Sequence, residues 1–321
     1  MAFTTREIGG YFELEHFYGN EYHEGALALS CARGCLAYLI EARDIKRIWT
    51  PWFLCESVDG VCRQMGVEVE HFEVKKDFTP DYDTIQIQEG DYLYLVDYYG
   101  ELDEETIRHA EELSCGKLIV DEVMAFFRKP LEGLDTIYSC RKFLGVADGA
   151  YLYTNVRVSR EIPTSESHDK MEFVLARCER PANDYYPQSA ANNKRFVGEP
   201  AMWMSPVTRN ILRAVDYNRI ARRRQENFER LAAQLDGLNE LKPRATYGAF
   251  MYPFLTKNGP ELRKELQGRK IYVSMLWGRE TQPEGTSRFL ANNILPIICD
   301  QRYDAGDMDY EVEVLKELLA G

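Results

Sequence analysis

The sequence contains no uninterrupted run of about 18 apolar residues, which excludes a helix able to cross a membrane. Met1-Ala2-Phe3-Thr4-Thr5-Arg6-Glu7 lacks the apolar core of a secretory signal, so a cytoplasmic location is expected. Positive charge is in short supply: 39 Lys and Arg stand against 52 Asp and Glu, a formal net charge of −13. Such a chain does not attract nucleic acid or anionic lipid as a whole. Any anionic substrate must therefore be held by local positive groups. The densest basic run, Arg219, Arg222, Arg223 and Arg224, lies on a strongly helical stretch and reads as a solvated helix face. None of the eight cysteines forms a Cys-x-x-Cys pair, and no two of the five histidines fall at metal-ligand spacing, so no metal site is expected. The cysteines read as reduced thiols, with Cys31 and Cys35 one helical turn apart as small packing residues.

What is present is a long alternation of strand and helix signals in 321 residues, enough for a large domain and a smaller one. Strands are expected at 26–30, 46–49 (stopped at Pro51), 67–72, 92–96, 117–120, 136–138 and 150–153. Helices are expected over about 33–42, 56–66 and 103–113. Short connections between them predict an α/β fold, a mostly parallel sheet sandwiched by helices. In such sheets ligands bind beyond the carboxyl ends of the strands, where Asp97, Asp121 and Ser139 fall. Residues 156–204 are polar and carry Pro163, Pro181 and Pro187, which predicts partly irregular structure covering the site. Residues 206–238 read as one long helix with Gly237 as its stop. Beyond it, strands over 250–255 and 271–276 and helices over 260–267 and 307–319 suit a small C-terminal α+β domain. The expected division is 1–205, a large domain including an N-terminal arm, and 206–321, a linking helix and the small domain.

Three segments carry chemistry. In Ser139-Cys140-Arg141-Lys142-Phe143-Leu144-Gly145, a lysine just past a strand can enter a pocket at the sheet edge. Desolvation and neighbouring cations there lower its pKa and make it a nucleophile for a carbonyl carbon. Asp121 ends an apolar strand, and a buried carboxylate needs a partner such as a protonated pyridine nitrogen. Leu29-Ser30-Cys31-Ala32-Arg33-Gly34-Cys35 joins a strand to a helix through small residues, leaving the first amides of the helix free for a phosphate. Taken alone, that segment reads equally well as an unliganded turn.

In this order the segments resemble the fold-type I pyridoxal 5′-phosphate enzymes and, more narrowly, the DegT/DnrJ-type sugar aminotransferase family. The resemblance extends through Pro51-Trp52-Phe53-Leu54-Cys55, Val96-Asp97-Tyr98-Tyr99-Gly100, Ile119-Val120-Asp121, Asp148-Gly149-Ala150 and the tail from Ile294-Leu295-Pro296 to Tyr310. It implies a fold-type I aminotransferase-like architecture and a homodimeric assembly with small-molecule substrates. It implies that Lys142 holds pyridoxal 5′-phosphate covalently, that Asp121 pairs with the ring nitrogen, and that Ala32, Arg33, Gly34 and Ser139 face the phosphate. Cys55 takes the position of the usual ring-stacking aromatic, leaving Phe53 or another aromatic to stack, and Met124 stands where a Gln or His usually follows the Asp. Members often supply an Asn and an Arg across the dimer just before a Met-Ser pair; here Ala201, Met202 and Trp203 precede Met204-Ser205.

The implied activity moves an amino group from an amino acid, glutamate by resemblance, to a keto acceptor such as a nucleotide-linked keto sugar. Tyr98, Tyr99 and Arg141 are candidate substrate-binding residues, with packing the competing reading for the tyrosines. Trp277 and Arg279 are candidates to reach the site from the small domain, and His23 and His109 read as surface or packing residues. A lyase or decarboxylase on the same scaffold, and a non-catalytic binding or regulatory protein, are the alternatives.

Overall fold

The computed structural model describes residues 8–279 and 281–320; the Met1–Glu7 segment read above lies outside them. In chain order the elements are β1 (Leu27–Leu29), α1 (Ala32–Arg43), β2 (Arg47–Pro51), α2 (Glu56–Gln64), β3 (Glu68–Phe72), β4 (Tyr92–Val96), α3 (Glu104–Leu113), β5 (Leu118–Asp121), β6 (Asp135–Ser139) and β7 (Ala150–Tyr153). There follow α4 (Glu172–Ala176), α5 (Tyr186–Arg195), α6 (Pro206–Leu212), α7 (Tyr217–Leu235), β8 (Tyr252–Leu255), α8 (Gly259–Gly268), α9 (Thr286–Asn293), β9 (Ile294–Ile297) and α10 (Ala305–Ala320). No helix among the described residues is long and apolar enough to cross a membrane.

β1 to β7 form one sheet in the order β1-β7-β6-β5-β4-β2-β3. β7 alone runs antiparallel to the rest. The central strands are continuously apolar because helices cover both faces: Leu93–Val96, Leu118–Val120 and Ile137–Tyr138 are all buried. A second, two-stranded sheet pairs β8 with β9. Its core is separate, built from Phe228, Leu231 and Leu235 of α7 with side chains of α8, β9 and α10.

Three expectations are corrected. The helix expected over 206–238 is two helices. Asp216 caps α7 by accepting from the Arg219 amide, and the Tyr217 hydroxyl donates to the Leu212 carbonyl at 2.7 Å, so both broken ends are satisfied. The strand expected over 271–276 does not form. Ile271 and Val273 are buried while Tyr272 and Met275 are exposed, so the alternation is real, but the segment has no ladder partner. Thirdly, Arg224 is not part of a solvated face. It is 2% exposed, donates to the Ala249 and Phe250 carbonyls and to Gln301 Oε1, and lies 4.6 Å from the Phe143 ring. The 156–204 stretch lacks named strands but includes α4 and α5, and α9 had no counterpart in the sequence reading.

Asp148 ties the start of β7 to α6. Its carboxylate accepts from the Ser205 amide at 2.9 Å, from Ser205 Oγ at 2.8 Å and from Thr208 Oγ1. Gly149, at φ +122°, lies where any Cβ would come within 3.2 Å of Cys140 and Thr208, so only glycine lets β7 approach the turn after β6 so closely. Replacing Asp148 with Ala leaves buried donors without an acceptor. The expected loss is roughly 2–4 kcal/mol of stability, read as a lower urea midpoint; an unchanged midpoint would contradict this account.

Candidate active site

The carboxyl ends of β4, β5 and β6 lie side by side because their register is in phase: Val96 pairs with Asp121, and Asp121 with Ile137. Ser139 ends β6, and a short turn, Cys140–Lys142, follows it. At this edge opens a cavity of about 440 Å³ lined by Asp121, Ser139, Arg141 and Lys142, by Cys31, Ala32 and Arg33 at the start of α1, and by Cys55. The three segments singled out in the sequence therefore converge on one space.

Asp121 is 3% exposed. Tyr94 Oη donates to its Oδ2 at 2.6 Å and the Val123 amide to its Oδ1 at 3.0 Å. Burial pushes its carboxyl pKa upward; the Tyr94 bond, the Val123 amide and the positive charge of Lys142 oppose this. The same burial lowers the Lys142 pKa, opposed chiefly by Asp121. Each group is thus driven toward neutrality by desolvation and held back by its counterpart. The Lys142 ammonium lies 5.1 Å from the Phe250 ring centroid.

The start of α1 meets the cavity, but its first amides are not all free. Cys31 caps α1, its sulfur accepting from the Gly34 amide at 3.3 Å. Gly34 itself is buried in the first turn, behind the lining residues Ala32 and Arg33. Arg33 donates to the Asn193 carbonyl at 3.0 Å, and Arg141 donates to the Asn193 side-chain oxygen. Burial, with Arg33 and Arg195 as like-charged neighbours, lowers the Arg141 pKa to about 10.

Other candidates fall elsewhere. Met124 is 1% exposed in the large core and is not part of the cavity wall; Val123 lines it instead. Asp97, though at a strand end, is turned away, accepting from the Leu102 amide at 2.8 Å and Arg128 Nη1 at 2.7 Å. Tyr98 and Tyr99 are buried and do not line the cavity; Tyr98 Oη donates to the Phe53 carbonyl at 2.5 Å. Phe53 is stacked on Tyr98, ring centroids 5.0 Å apart, and it too is outside the wall. The aromatics that reach the cavity are Tyr94 and Trp277, and Trp277 is edge-on to Phe53 at 4.7 Å. Its left-handed φ of +62° is unfavourable for a tryptophan and is held by contacts of the residues that follow it. Arg279 donates to the Leu54 carbonyl at 2.6 Å and to Asp59 Oδ2 at 2.5 Å, while Gln282 donates to the Trp52 carbonyl at 3.1 Å. His23 is buried in a box of aromatic rings and its pKa is lowered to about 4 by desolvation; His109 is exposed beside Tyr82.

Sequence reasoning did not single out Val123, Tyr94 or Asn193. Val123 lies two residues beyond Asp121, and Tyr94 is diagonal to it across the β4–β5 ladder, so register arguments could have reached both. Asn193 carries no local signal; α5 delivers it from far along the chain.

No protein-family model and no curated protein sequence matches this chain. Solved structures do. The DegT DnrJ EryC1 StrS aminotransferase from Brucella abortus is 15% identical, with a TM-score of 0.63 over 92% of this chain and 86% of its own. The sugar aminotransferase CalS13 from Micromonospora echinospora is 15% identical, with a TM-score of 0.62 over 91% and 87%. Spr1654 from Streptococcus pneumoniae in its PLP form is 13% identical, with a TM-score of 0.63 over 91% and 86%. At this identity the likeness is one of fold: the chain has the aminotransferase architecture that the sequence resemblance implied.

The lowered pKa of Lys142 has a direct readout. Competitive acetylation across pH, with the modified peptide quantified by mass, should show Lys142 becoming reactive at lower pH than a free lysine peptide. A profile coincident with that peptide would sink the assignment of a desolvated amine.

Proposed function

We propose that the chain is a pyridoxal 5′-phosphate-dependent aminotransferase that takes an amino group from an amino acid, glutamate as the first choice, and passes it to a keto acceptor. The observation that carries the reading is the convergence of Lys142, Asp121, Ser139 and the N-terminal turn of α1 on one cavity of about 440 Å³. The residues present fit the cofactor. A carboxylate stands at one place in the wall, a primary amine at another, and a helix N-terminus with arginines at a third, matching a pyridinium, an aldehyde and a phosphate. The likeness to sugar aminotransferases, and to a neighbour solved in both PLP and PMP forms, supports the same reading.

When bound, the cofactor supplies the electron sink that amino-group transfer needs. The chain's own residues do the rest. Lys142 would hold the cofactor through its amine and, when free, would move a proton at the substrate's alpha carbon as general base and then acid. Burial lowers its pKa from that of a free lysine, the direction a base role requires. Asp121, oriented by Tyr94 and the Val123 amide, would face the ring nitrogen and favour its protonated form. Val123 and Trp277 supply apolar walls, and Cys55 leaves room that an aromatic at its position would fill. Arg141 and Arg33 place positive charge for anionic groups. The acceptor in this proposal is a keto sugar, nucleotide-linked by the family resemblance; the likeness to structures named sugar aminotransferases supports the sugar part.

The active unit in this proposal is a homodimer. Ile8, Tyr11, Phe12 and Tyr18 are more than nine-tenths exposed along the N-terminal arm, and a second copy of the chain is the partner that would cover them.

Borohydride reduction of cofactor-loaded protein should place the pyridoxyl group on the peptide containing Lys142. Glutamate should then release one equivalent of 2-oxoglutarate from unreduced protein, with aspartate, alanine and glutamine run in parallel. Lys142→Ala should slow that release by at least about 10²- to 10⁴-fold. Asp121→Asn should keep the fold and lose most of the rate. Label on another lysine, or loaded protein inert to every donor, would refute the transaminase reading. A fully active monomer in sedimentation combined with assay would refute the dimer.

A further inference from the structure

Arg33, Arg141 and Arg195 gather around one phenylalanine. Their guanidinium carbons lie 5.7, 4.6 and 4.4 Å from the centroid of the Phe196 ring. Among the described residues none of the three has a carboxylate within salt-bridge distance. Arg141 Nε, Arg195 Nε and Arg195 Nη2 are buried donors with no acceptor. In an acidic chain where most arginines find a carboxylate, three half-buried cations sharing one ring are unfavourable unless an anion joins them. The cluster borders the cavity at the start of α1, where Arg33, Arg141, Ser139 and Asn193 are all part of the wall.

The cluster is assembled within one protomer. Asn192 donates to the Ala147 carbonyl at 2.8 Å, fastening α5 to the loop that follows Lys142. The next residue, Asn193, accepts from Arg141 through its side chain and from Arg33 through its carbonyl. The segment just before Met204-Ser205 has a different use here. Ser30 donates to the Met202 carbonyl at 2.8 Å and the Met204 amide donates to Ala28 at 3.0 Å, so this stretch lies along β1 of its own chain. Ala201, Met202 and Trp203 place no charged side chain there.

Resting on the cofactor reading above, we propose that the phosphate monoester is gripped in cis: Arg141 and Arg33 take it together with Ser139 and the first amides of α1, and Asn193 is the positioning residue that holds both arginines. Arg195 adds charge from behind the Phe196 ring.

The test measures binding, not turnover. Protein stripped of cofactor is titrated with pyridoxal 5′-phosphate, with pyridoxal, and with inorganic phosphate, comparing wild type with Arg141→Gln and Asn193→Ala. Arg141→Gln should weaken pyridoxal 5′-phosphate by about 10- to 100-fold, the worth of one charge-assisted contact, leave pyridoxal within about twofold by the same reasoning, and abolish the thermal stabilisation that inorganic phosphate gives wild type. Asn193→Ala should show the same selective pattern, more weakly. A mixed dimer of one Lys142→Ala chain and one Arg141→Gln chain separates cis from trans. Its single intact Lys142 should remain weakly loaded; wild-type affinity there would show that Arg141 serves the partner's site and overturn the proposal. Equal affinity of Arg141→Gln and wild type for pyridoxal 5′-phosphate would also overturn it. If wild type binds phosphate through Arg141 yet takes up neither pyridoxal compound, the cofactor reading fails while the anion site stands.

Discussion

The rest of the site depends on one buried carboxylate. Asp121 sits at the end of β5 with Tyr94 and the Val123 amide on its two oxygens and the charge of Lys142 across the cavity. Leaving an ionised carboxylate in so enclosed a place is costly unless each lone pair is engaged and a cation is near. The sheet meets that cost through register. β4 brings Tyr94 diagonal to Asp121, and β6 ends at the level from which Ser139 and the Lys142 turn enter the same space. A one-residue slip of either neighbour would turn those side chains to the opposite face.

The small domain completes the cavity by two contacts of different character. Arg224 bridges the carbonyls of Ala249 and Phe250 to Gln301, and Gln301 donates to the Phe143 carbonyl at 2.7 Å, one residue from Lys142. Arg279 is buried against Asp59 and the Leu54 carbonyl, and so holds Trp277 in its left-handed conformation over the opening. Both are hydrogen-bonded guanidinium groups, whose planar forks reach several acceptors at once. Rigid placement of Lys142 and of the aromatic wall thus relies on arginines far from them in sequence.

Charge is partitioned in the same economical way. The chain is strongly acidic overall, yet among the described residues Arg33 and Arg141 of the cavity wall, and Arg195 beside them on the Phe196 ring, have no carboxylate partner. An anion entering the cavity meets the helix N-terminus and the wall guanidinium groups together.

Much of this was legible in residue order. Apolar runs bounded by turn residues located the buried strands of the main sheet, because a strand covered on both faces must be continuously apolar, and alternation located the edge strand β3. The small-residue turn at Cys31–Gly34, the carboxylate closing β5 and the lysine after β6 were readable as chemistry, since each is a polar or positive group delivered to the same sheet edge. The break between α6 and α7 was not, because Asp216 and Tyr217 are compatible with a continuing helix and only their hydrogen bonds reveal the caps. Nor was the unpaired course of 271–276, where alternation records one buried side and says nothing of a ladder partner. By itself the sequence determined which strands form and which reactive residues their ends carry, since burial periodicity and chain direction are local properties. Tertiary structure alone decided that Asn193 and Trp277 join the wall while Tyr98, Tyr99 and Met124 are outside it. Side-chain direction at the end of a strand, and the docking of α5 and of the 277–279 segment, arise from contacts between residues widely separated in sequence, which no local pattern encodes.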